Sequence, residues 1–423
     1  MHRIYQLFPA LAHRAFFCFI IGQTISMLGQ WMQRLAMSWL VFRLTKSAFL
    51  LSIVEFMSLA PILVFGLMAG AWLERHDLRK ALITTQILCM LESALLTFFT
   101  FTDTVSYPLL VVLSLLLGII SSFDMTARQS SVSLMVTDQA AVKSAVALNS
   151  MAFNISKLVG PSIAGVAIYA WGEGICFLIA TVSYLPILYM LLFQVRLRER
   201  TRGTSRQNMI SDIKEGIRHI RSEVFLRHIF QLLFAYCFFG LSYSVLFPMF
   251  STVILGGGSQ TLGWLFGAVG AGAFCGGVVV SIFVVLRRIP SVIARTTMLT
   301  AAALTVFSFS ETLWLSLAAA FCIGFGVTTT NISTNTLCQM TSSDDCRSRI
   351  LSLYIMCTAG VGPVGGLAFG ALADTIGAPH TMLLCAVVLC TAVLCYSRKL
   401  RIIRHSLMQN ILHHDAESRT GQC

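Results

Sequence analysis

The stretch Asn154-Ile-Ser-Lys157-Leu-Val-Gly160-Pro161-Ser-Ile-Ala-Gly165 lies within a long apolar segment that runs from Ala145 to Tyr169. A segment of this length can cross a bilayer as a helix. In lipid, however, its proline frees a backbone carbonyl that needs a new partner, and its lysine is costly unless the side chain faces protein or water. The sequence therefore predicts a membrane helix that packs against protein and borders a hydrated cavity.

The whole chain has the composition of a membrane protein. Of its 423 residues, 56% are hydrophobic and 11% are charged, whereas soluble domains carry about 25% charged residues. Hydropathy predicts about twelve membrane-spanning helices in an all-α fold. The first apolar segment is itself long enough to span, so we expect no cleavable signal peptide. No CxxC pair, zinc-type spacing or Walker-type glycine loop occurs, so we expect no metal and no cofactor.

Lysine and arginine fall on one side of the predicted spans. They lie in the termini, in the central loop and in the loops on the same side, with four exceptions: Arg34, Arg43, Lys46 and Lys157. The excess of positive charge predicts that both termini and the central loop are cytoplasmic. The same asymmetry explains the formal net charge of +12, and we therefore expect no nucleic-acid partner.

An internal repeat divides the chain into halves. The Gly-Pro stretch returns at Gly360-Val-Gly362-Pro363-Val-Gly365-Gly366, and glycine pairs recur in the second and eighth spans. Six plus six helices with such a repeat are typical of transporters. We predict a six-helix bundle over residues 1–194, a cytoplasmic linker over 195–228, a second six-helix bundle over 229–400 and a disordered cytoplasmic tail over 401–423.

Glycine and apolar spacing predict two further features. Glycine concentrates in spans two, five, eight and eleven, and we predict that these four helices form the contact between the halves, because small residues let helix backbones approach closely.

In the linker, apolar residues recur every three or four positions from Ile210 to Val224. This spacing predicts an amphipathic helix, which is either a regulatory element or a passive connection.

Several motifs resemble those of one family. The loop Gly70-Ala-Trp-Leu-Glu74-Arg75-His-Asp77-Leu-Arg79-Lys80 resembles the loop signature of the major facilitator superfamily, and the Gly160-Pro161 stretch resembles its antiporter motif. Other segments resemble the exporter branch that includes the enterobactin exporter and related secretion transporters: residues 30–45, 123–129, 147–150 and 370–374. The resemblance extends from about Phe16 to Arg401.

The resemblance implies a function as well as a fold. It implies a secondary active transporter, and not an enzyme, in a bacterial inner membrane. The implied activity is proton-coupled export of a siderophore-like or drug-like small molecule by alternating access, and we expect a monomer. Span four lacks the membrane arginine of many drug–proton antiporters, which argues against a simple proton relay. Uptake or uniport of a metabolite, such as a peptidoglycan fragment or a lysophospholipid, is the alternative.

Ionisable residues within the spans are candidates for substrate and proton sites. Depth along the helices predicts two pairs, Arg34 with Glu55 and Glu92 with Lys157. Each pair is either a static bridge or part of the transport site, and we expect Lys157 to meet an anionic substrate or exchange a proton. Polar residues extend this set: Gln23, Gln30 and Gln33 in span one, Asn149 and Asn154 in span five, Tyr236 and Tyr243 in span seven, and Asn331 and Asn335 in span ten.

The remaining candidates belong to a gate and to helix packing. Asp124 and Arg128 are one helical turn apart at the inner end of span four. With Glu74, Arg75 and Arg79 they form a predicted inner gate that holds the outward-open state; the alternative is a solvated cluster of small energetic effect. The candidates for packing in the antiporter motif and its repeat are Gly160, Pro161, Gly165, Gly362, Pro363 and Gly366.

Overall fold

The computed structural model describes residues 9–73, 76–132, 134–136, 139–194, 217–218, 220–341 and 344–409. All regular structure in these ranges is helical, and twelve long elements follow one another along the chain. The six of the first half are α1 Arg14–Thr45, α2 Ala48–Leu73, α3 Leu78–Phe101, α4 Tyr107–Val132, α5 Gln139–Trp171 and α6 Glu173–Phe193.

The second half contains two elements that are interrupted by π-helical turns. In α7, the helices Val224–Ala235 and Tyr243–Met249 alternate with the π turns Tyr236–Gly240 and Phe250–Ile254. In α11, the π turn Cys357–Val361 separates Asp344–Met356 from Gly362–Ile376. The continuous elements are α8 Ser259–Phe283, α9 Ile289–Ser308, α10 Leu313–Thr341 and α12 Ala378–Arg398.

Each of the twelve elements contains a stretch that is long and apolar enough to cross a membrane. The hydropathy prediction of twelve spans is thereby confirmed, and the chain is a multi-pass membrane protein. The amphipathic helix predicted from Ile210 to Val224 lies mostly outside the described residues.

Two glycines, one in each half, set the joints between the last two helices of that half. Gly172 precedes α6 with a φ of 81°, and Gly377 precedes α12 with a φ of 86°. Side chains with a Cβ rarely adopt this left-handed conformation, so glycine permits the sharp turn at both joints. The two joints lie about half a chain apart, and they match the internal repeat that the Gly-Pro stretches predict.

Helix packing within each half repeats with a shift of six helices. In the first half, α1 packs against α5 and α6, and α3 packs against α4 and α6. In the second half, the first π turn of α7 contacts α11 and α12, and α9 packs against α10 and α12. The helix pairs that contact each other in the first half have counterparts six helices later in the second half, which supports the internal repeat.

Pro363 lies two residues after the π turn in α11. Pro363 lacks an N–H and removes the backbone hydrogen bond to the carbonyl four residues earlier, at Ala359. Ala359 lies inside the π turn Cys357–Val361, where the wider helical turn accommodates the lost bond. Pro161 is the equivalent residue in α5, which continues as an α-helix past it.

The contacts group the chain into two compact units. The first takes in residues 1–204 together with Phe247–Gly270, and the second takes in residues 205–246 and 271–423. The end of α7 and most of α8 therefore group with the N-terminal helices. The sequence instead predicts that the first bundle ends at residue 194 and that the second begins at residue 229. The predicted bundle boundaries remain a prediction.

The C-terminal segment differs from its predicted disorder. Residues 400–409 are helical, and Ile403 and Leu407 on this helix are buried. Arg404 donates from Nε to Ser291 Oγ at the start of α9 over 3.0 Å. The prediction of a disordered tail from residue 401 is therefore wrong for 401–409, because apolar residues four apart give this segment a face that packs. Residues 410–423 lie outside the described residues.

Candidate functional site

Trp31 occupies the seam between α1 and α5. A Cβ at Gly160 would lie 2.7 Å from Trp31 Cβ and 3.2 Å from the Leu28 carbonyl oxygen, so the missing side chain of Gly160 makes room for the α1 backbone and for this indole. The ring of Phe153 meets the ring of Trp31 edge-on, with 5.7 Å between centroids. The glycine of the predicted antiporter motif therefore positions an aromatic ring of the neighbouring helix.

Two cations converge on this ring. Arg34 Cζ lies 5.5 Å from the Trp31 ring centroid, and Lys157 Nζ lies 5.9 Å from it. Arg34 follows Trp31 by three positions on α1, and helical geometry places it on the same face. These are cation–π distances. Arg34 is exposed and Lys157 is partly buried.

Glu92 binds a different partner. Its Oε2 accepts a hydrogen bond from Gln33 Nε2 over 2.7 Å, and Glu92 is 3% exposed. The predicted Glu92–Lys157 ion pair is therefore wrong, because Gln33 of α1 meets the carboxyl group while Lys157 lies at Trp31. Among the described residues, Glu92 Oε1 and Gln33 Oε1 are buried without a hydrogen-bond partner.

The predicted pair of Arg34 with Glu55 is also not seen. The contact of Arg34 that the structure shows is the one with Trp31. At Glu55, on α2, the backbone carbonyl accepts a hydrogen bond from the Ser58 hydroxyl. Equal depth in the membrane does not bring Arg34 to Glu55, because Arg34 folds back along its own helix to the indole three positions earlier.

The glutamines of α1 connect it to neighbouring helices. Gln23 Nε2 donates to Asn149 Oδ1 on α5 over 2.7 Å. Gln30 Nε2 donates to Ser26 Oγ over 3.4 Å, and Ser26 Oγ donates in turn to Gln86 Oε1 on α3 over 3.3 Å. The candidate residue Asn154 donates to the Ser150 carbonyl of its own helix.

A buried ion pair lies at the far end of this hydrogen-bond chain. Arg128 Nε lies 2.6 Å from Asp124 Oδ2, and both residues are 7% exposed. Asp124 Oδ1 accepts from Thr85 Oγ1 over 2.8 Å and from Gln86 Nε2 over 2.6 Å. The alternative of a solvated cluster does not describe this pair, because both side chains are shielded from water and Asp124 has three polar contacts.

The other predicted gate residues are placed differently. Arg79 donates to the carbonyls of Leu191 and Leu192 over 2.8 Å each. These carbonyls belong to the last turn of α6, where four carbonyls lack helical partners. Arg79 therefore caps α6. Glu74 and Arg75 lie outside the described residues, so their part in the gate remains a prediction.

Glycines also bring α5 and α8 together within the first unit. A Cβ at Gly165 would lie 2.7 Å from Gly263 Cα, and a Cβ at Gly263 would lie 2.8 Å from the Pro161 carbonyl oxygen. Ser259 donates to the Gly165 carbonyl over 3.3 Å. Further along, a Cβ at Gly270 would lie 2.5 Å from Leu158 Cα. This α5–α8 seam is the part of the predicted four-helix glycine contact that lies within a single unit.

The repeat of the Gly-Pro stretch packs on α7 in the second unit. A Cβ at Gly362 would lie 3.4 Å from Leu241 Cδ1, and one at Gly366 would lie 3.3 Å from Val245 Cγ2. Gly365 faces the Phe238 carbonyl too closely to admit a side chain. Gly160 packs on α1 and Gly362 on α7, the first helix of each half, so the two Gly-Pro stretches have equivalent surroundings.

The asparagines of α10 stay within the second unit. The backbone carbonyl of Asn331 accepts from the Tyr354 hydroxyl over 3.0 Å, while Asn331 Oδ1 is buried without a partner among the described residues. Asn335 Oδ1 accepts from Gln339 Nε2 over 2.5 Å. Tyr236, another candidate, is fully buried on α7.

Sequence reasoning missed two groups. The first is the Arg43–Glu173 ion pair, 2.7 Å long, between the end of α1 and the start of α6; the only signal was one isolated charge at each helix end. The second is Trp31: the sequence shows its polar neighbours Gln30, Gln33 and Arg34, but not that Lys157 of another helix meets its ring. In the described part of the chain, no group of three or more His, Cys, Asp or Glu side chains is arranged to hold a metal ion.

Known proteins are similar to this chain in sequence or in fold over most of their length. The chain is 24% identical to the staphyloferrin A transporter of Staphylococcus aureus, over 91% of this chain and 96% of that protein. It is 28% identical to the multidrug efflux pump Tap of Mycolicibacterium fortuitum, over 82% and 86%. A POT family transporter, solved in complex with a thioalcohol conjugated peptide, superposes with a TM-score of 0.73 at 11% identity, covering 92% of this chain and 96% of that one.

A family model settles the relationship. The model described as transmembrane secretion effector matches residues 6–418, which is almost all of the 423-residue chain. Its relatives are siderophore and drug transporters, not enzymes. The chain therefore belongs to the transmembrane secretion effector family, a family of transporters within the major facilitator superfamily.

Proposed function

We propose that the protein exports a siderophore-like or drug-like small molecule across a bacterial inner membrane by proton-coupled alternating access. The observation that carries this proposal is the shared family of the chain, the staphyloferrin A transporter and the multidrug efflux pump Tap. The intramembrane polar groups of α1, α3 and α5 support it, because ionisable side chains inside a membrane protein mark substrate and proton pathways.

The candidate residues divide between two tasks. The substrate candidates are Arg34, Lys157, Gln23, Gln30, Asn149, Asn154, Asn331 and Asn335. Glu92 is the proton candidate, because a buried carboxylate without a cationic partner is expensive and a bound proton removes that expense. Gln33 holds the group in place in either state. Glu55 stays a candidate for either task, and both termini are proposed to be cytoplasmic.

A deletion strain tests the export function. We expect its culture supernatant to contain less secreted iron chelator, or its susceptibility to a panel of drugs to rise, with the wild-type gene on a plasmid reversing the change. A strain with unchanged secretion and unchanged susceptibility contradicts export. Impaired uptake of a peptidoglycan fragment or a lysophospholipid would instead support the alternative.

Glu92→Gln tests the proton role. The amide retains an oxygen that accepts from Gln33 Nε2, so we expect a melting temperature near that of the wild type. Proteoliposomes should still exchange labelled substrate for unlabelled substrate, but an imposed pH gradient should no longer drive accumulation. Glu173→Gln is the matched control, because Glu173 lies at the start of α6 in the ion pair with Arg43. Gradient-driven accumulation that survives in Glu92→Gln excludes Glu92 as the proton carrier.

A further inference from the structure

Trp31, Arg34 and Lys157 form a compact group that we call the indole site. Trp31 is fixed on two sides, by the close approach of the α5 backbone at Gly160 and by the ring of Phe153. Phe153 and Lys157 are one turn apart on α5, so the aromatic contact and the ammonium lie on the same face of that helix. The ring and both cations are therefore held by two packed helices.

Among the described residues, the cations of the indole site have no ion-pair partner. The ion pairs seen in the described part of the chain join Arg43 to Glu173 and Arg128 to Asp124, and neither includes Arg34 or Lys157. The charged group that shares the Trp31 ring with Lys157 is Arg34, which has the same sign. Glu92, the carboxyl group predicted for Lys157, is bound to Gln33 instead.

The ring alone does not offset this charge. A cation–π contact is worth about 0.5–2 kcal/mol, whereas removing an ammonium from water costs several kcal/mol, and Lys157 is partly buried. Two like charges at one ring also repel each other. An anion placed between them would relieve the repulsion and gain charge-assisted hydrogen bonds, and a guanidinium binds the two oxygens of a carboxylate especially well.

We propose that the indole site binds a carboxylate of the transported molecule, with Arg34 and Lys157 on the carboxylate oxygens and Trp31 and Phe153 against an adjoining flat apolar group. This inference rests on the proposed export function and specifies the substrate class for part of that same site. It predicts that the cargo is an anion that carries an aromatic or other planar group beside its carboxylate.

The test uses 1-naphthoate and its uncharged counterpart, 1-naphthamide, with the purified full-length protein in detergent. We expect 1-naphthoate to quench tryptophan fluorescence with an affinity at least about tenfold higher than that of 1-naphthamide, since a hydrogen bond to a charged group contributes about 1.5–3 kcal/mol. Lys157→Gln and Arg34→Gln should each weaken 1-naphthoate binding about tenfold and leave 1-naphthamide binding unchanged. Arg34→Lys should retain most of the preference for the anion.

Two controls separate binding from folding. Lys80→Gln removes an exposed charge at the start of α3 and should change neither affinity. Lys157→Gln removes one of two repelling charges, so we expect its melting temperature to equal or exceed that of the wild type. The inference is overturned if the two probes bind equally well, or if the preference for 1-naphthoate persists in the Lys157→Gln/Arg34→Gln double variant.

The outcome is distinguishable from that of the export proposal. A deletion strain that loses secretion, together with a protein that binds both probes equally, would refute the carboxylate site and leave export standing. Selective 1-naphthoate binding that depends on Lys157, together with a deletion strain of unchanged phenotype, would support the site and refute export.

Discussion

Replacing Gly270 with alanine should lower export at least about tenfold, because the new methyl group forces α8 away from α5. Its Cβ would lie 2.5 Å from Leu158 Cα, 3.0 Å from Leu158 N and 3.0 Å from the Lys157 carbonyl oxygen. All three are backbone atoms and cannot rotate aside. Overpacking of this kind costs about 1–3 kcal/mol, and a change of 1.4 kcal/mol in the free energy of one conformation is a factor of ten in its population.

The matched control is Gly277→Ala on the same helix. A Cβ at Gly277 would meet only Ile332 Cδ1, at 3.8 Å, which is ordinary contact with the end of a flexible side chain. Both substitutions bring the same gain in helix propensity, about 1 kcal/mol. A difference in export or melting temperature between the two variants therefore reports the α5–α8 seam alone.

The measurement is complementation of the deletion strain at matched protein levels, together with the melting temperature of each purified variant. We expect Gly270→Ala to fail in complementation and to melt at a lower temperature than Gly277→Ala. Equal complementation by the two variants would show that close approach of α5 and α8 is not needed for transport.

The fold follows from sequence features that report directly on physical constraints. Lipid requires long apolar helices, so hydropathy found all twelve spans. The glycines at Gly160, Gly165 and Gly362 were recognised as packing positions because a small residue in a membrane helix permits close contact, and each does face another helix. Asp124 and Arg128 were recognised as a pair because four positions along one helix bring side chains together whatever the tertiary structure.

Partners on different helices were not predictable in the same way. Depth along a span gives one coordinate of a side chain, but pairing also requires the rotation of each helix about its axis and the identity of its neighbours. Lys157 and Glu92 lie at compatible depths, yet α5 turns Lys157 toward Trp31 and α1 offers Gln33 to Glu92. The loop motif predicts that Arg79 belongs to the gate, whereas its capping of α6 depends on a contact 112 residues away in the sequence.

The helical segment at 400–409 was missed for a related reason. Leu400, Ile403 and Leu407 supply two turns of apolar spacing, but this short pattern lies among basic and polar residues and does not itself show a partner for the apolar face. The segment is ordered through tertiary contact, including the bond from Arg404 to Ser291, and most helix stability in proteins comes from such packing.

Asp124→Asn should lower the free energy of unfolding by about 3–5 kcal/mol, because it leaves the buried Arg128 without a counter-charge. Arg128 Nη2 already lacks a partner among the described residues, so the guanidinium has no evident second acceptor there. The asparagine retains one oxygen that accepts from Thr85 and Gln86. The decrease in the free energy of unfolding therefore reports mainly the missing negative charge of Asp124.

Glu173→Gln is the matched control for a single broken ion pair. It leaves Arg43, whose side chain is 49% exposed and can reach water, so the expected loss is about 0–1 kcal/mol. The double variant Asp124→Asn/Arg128→Gln removes both buried charges and should be more stable than Asp124→Asn alone. Thermal or denaturant unfolding in detergent measures all three. If Asp124→Asn destabilised the protein no more than Glu173→Gln, the buried Asp124–Arg128 pair would contribute no more to stability than the partly exposed pair of Arg43 with Glu173.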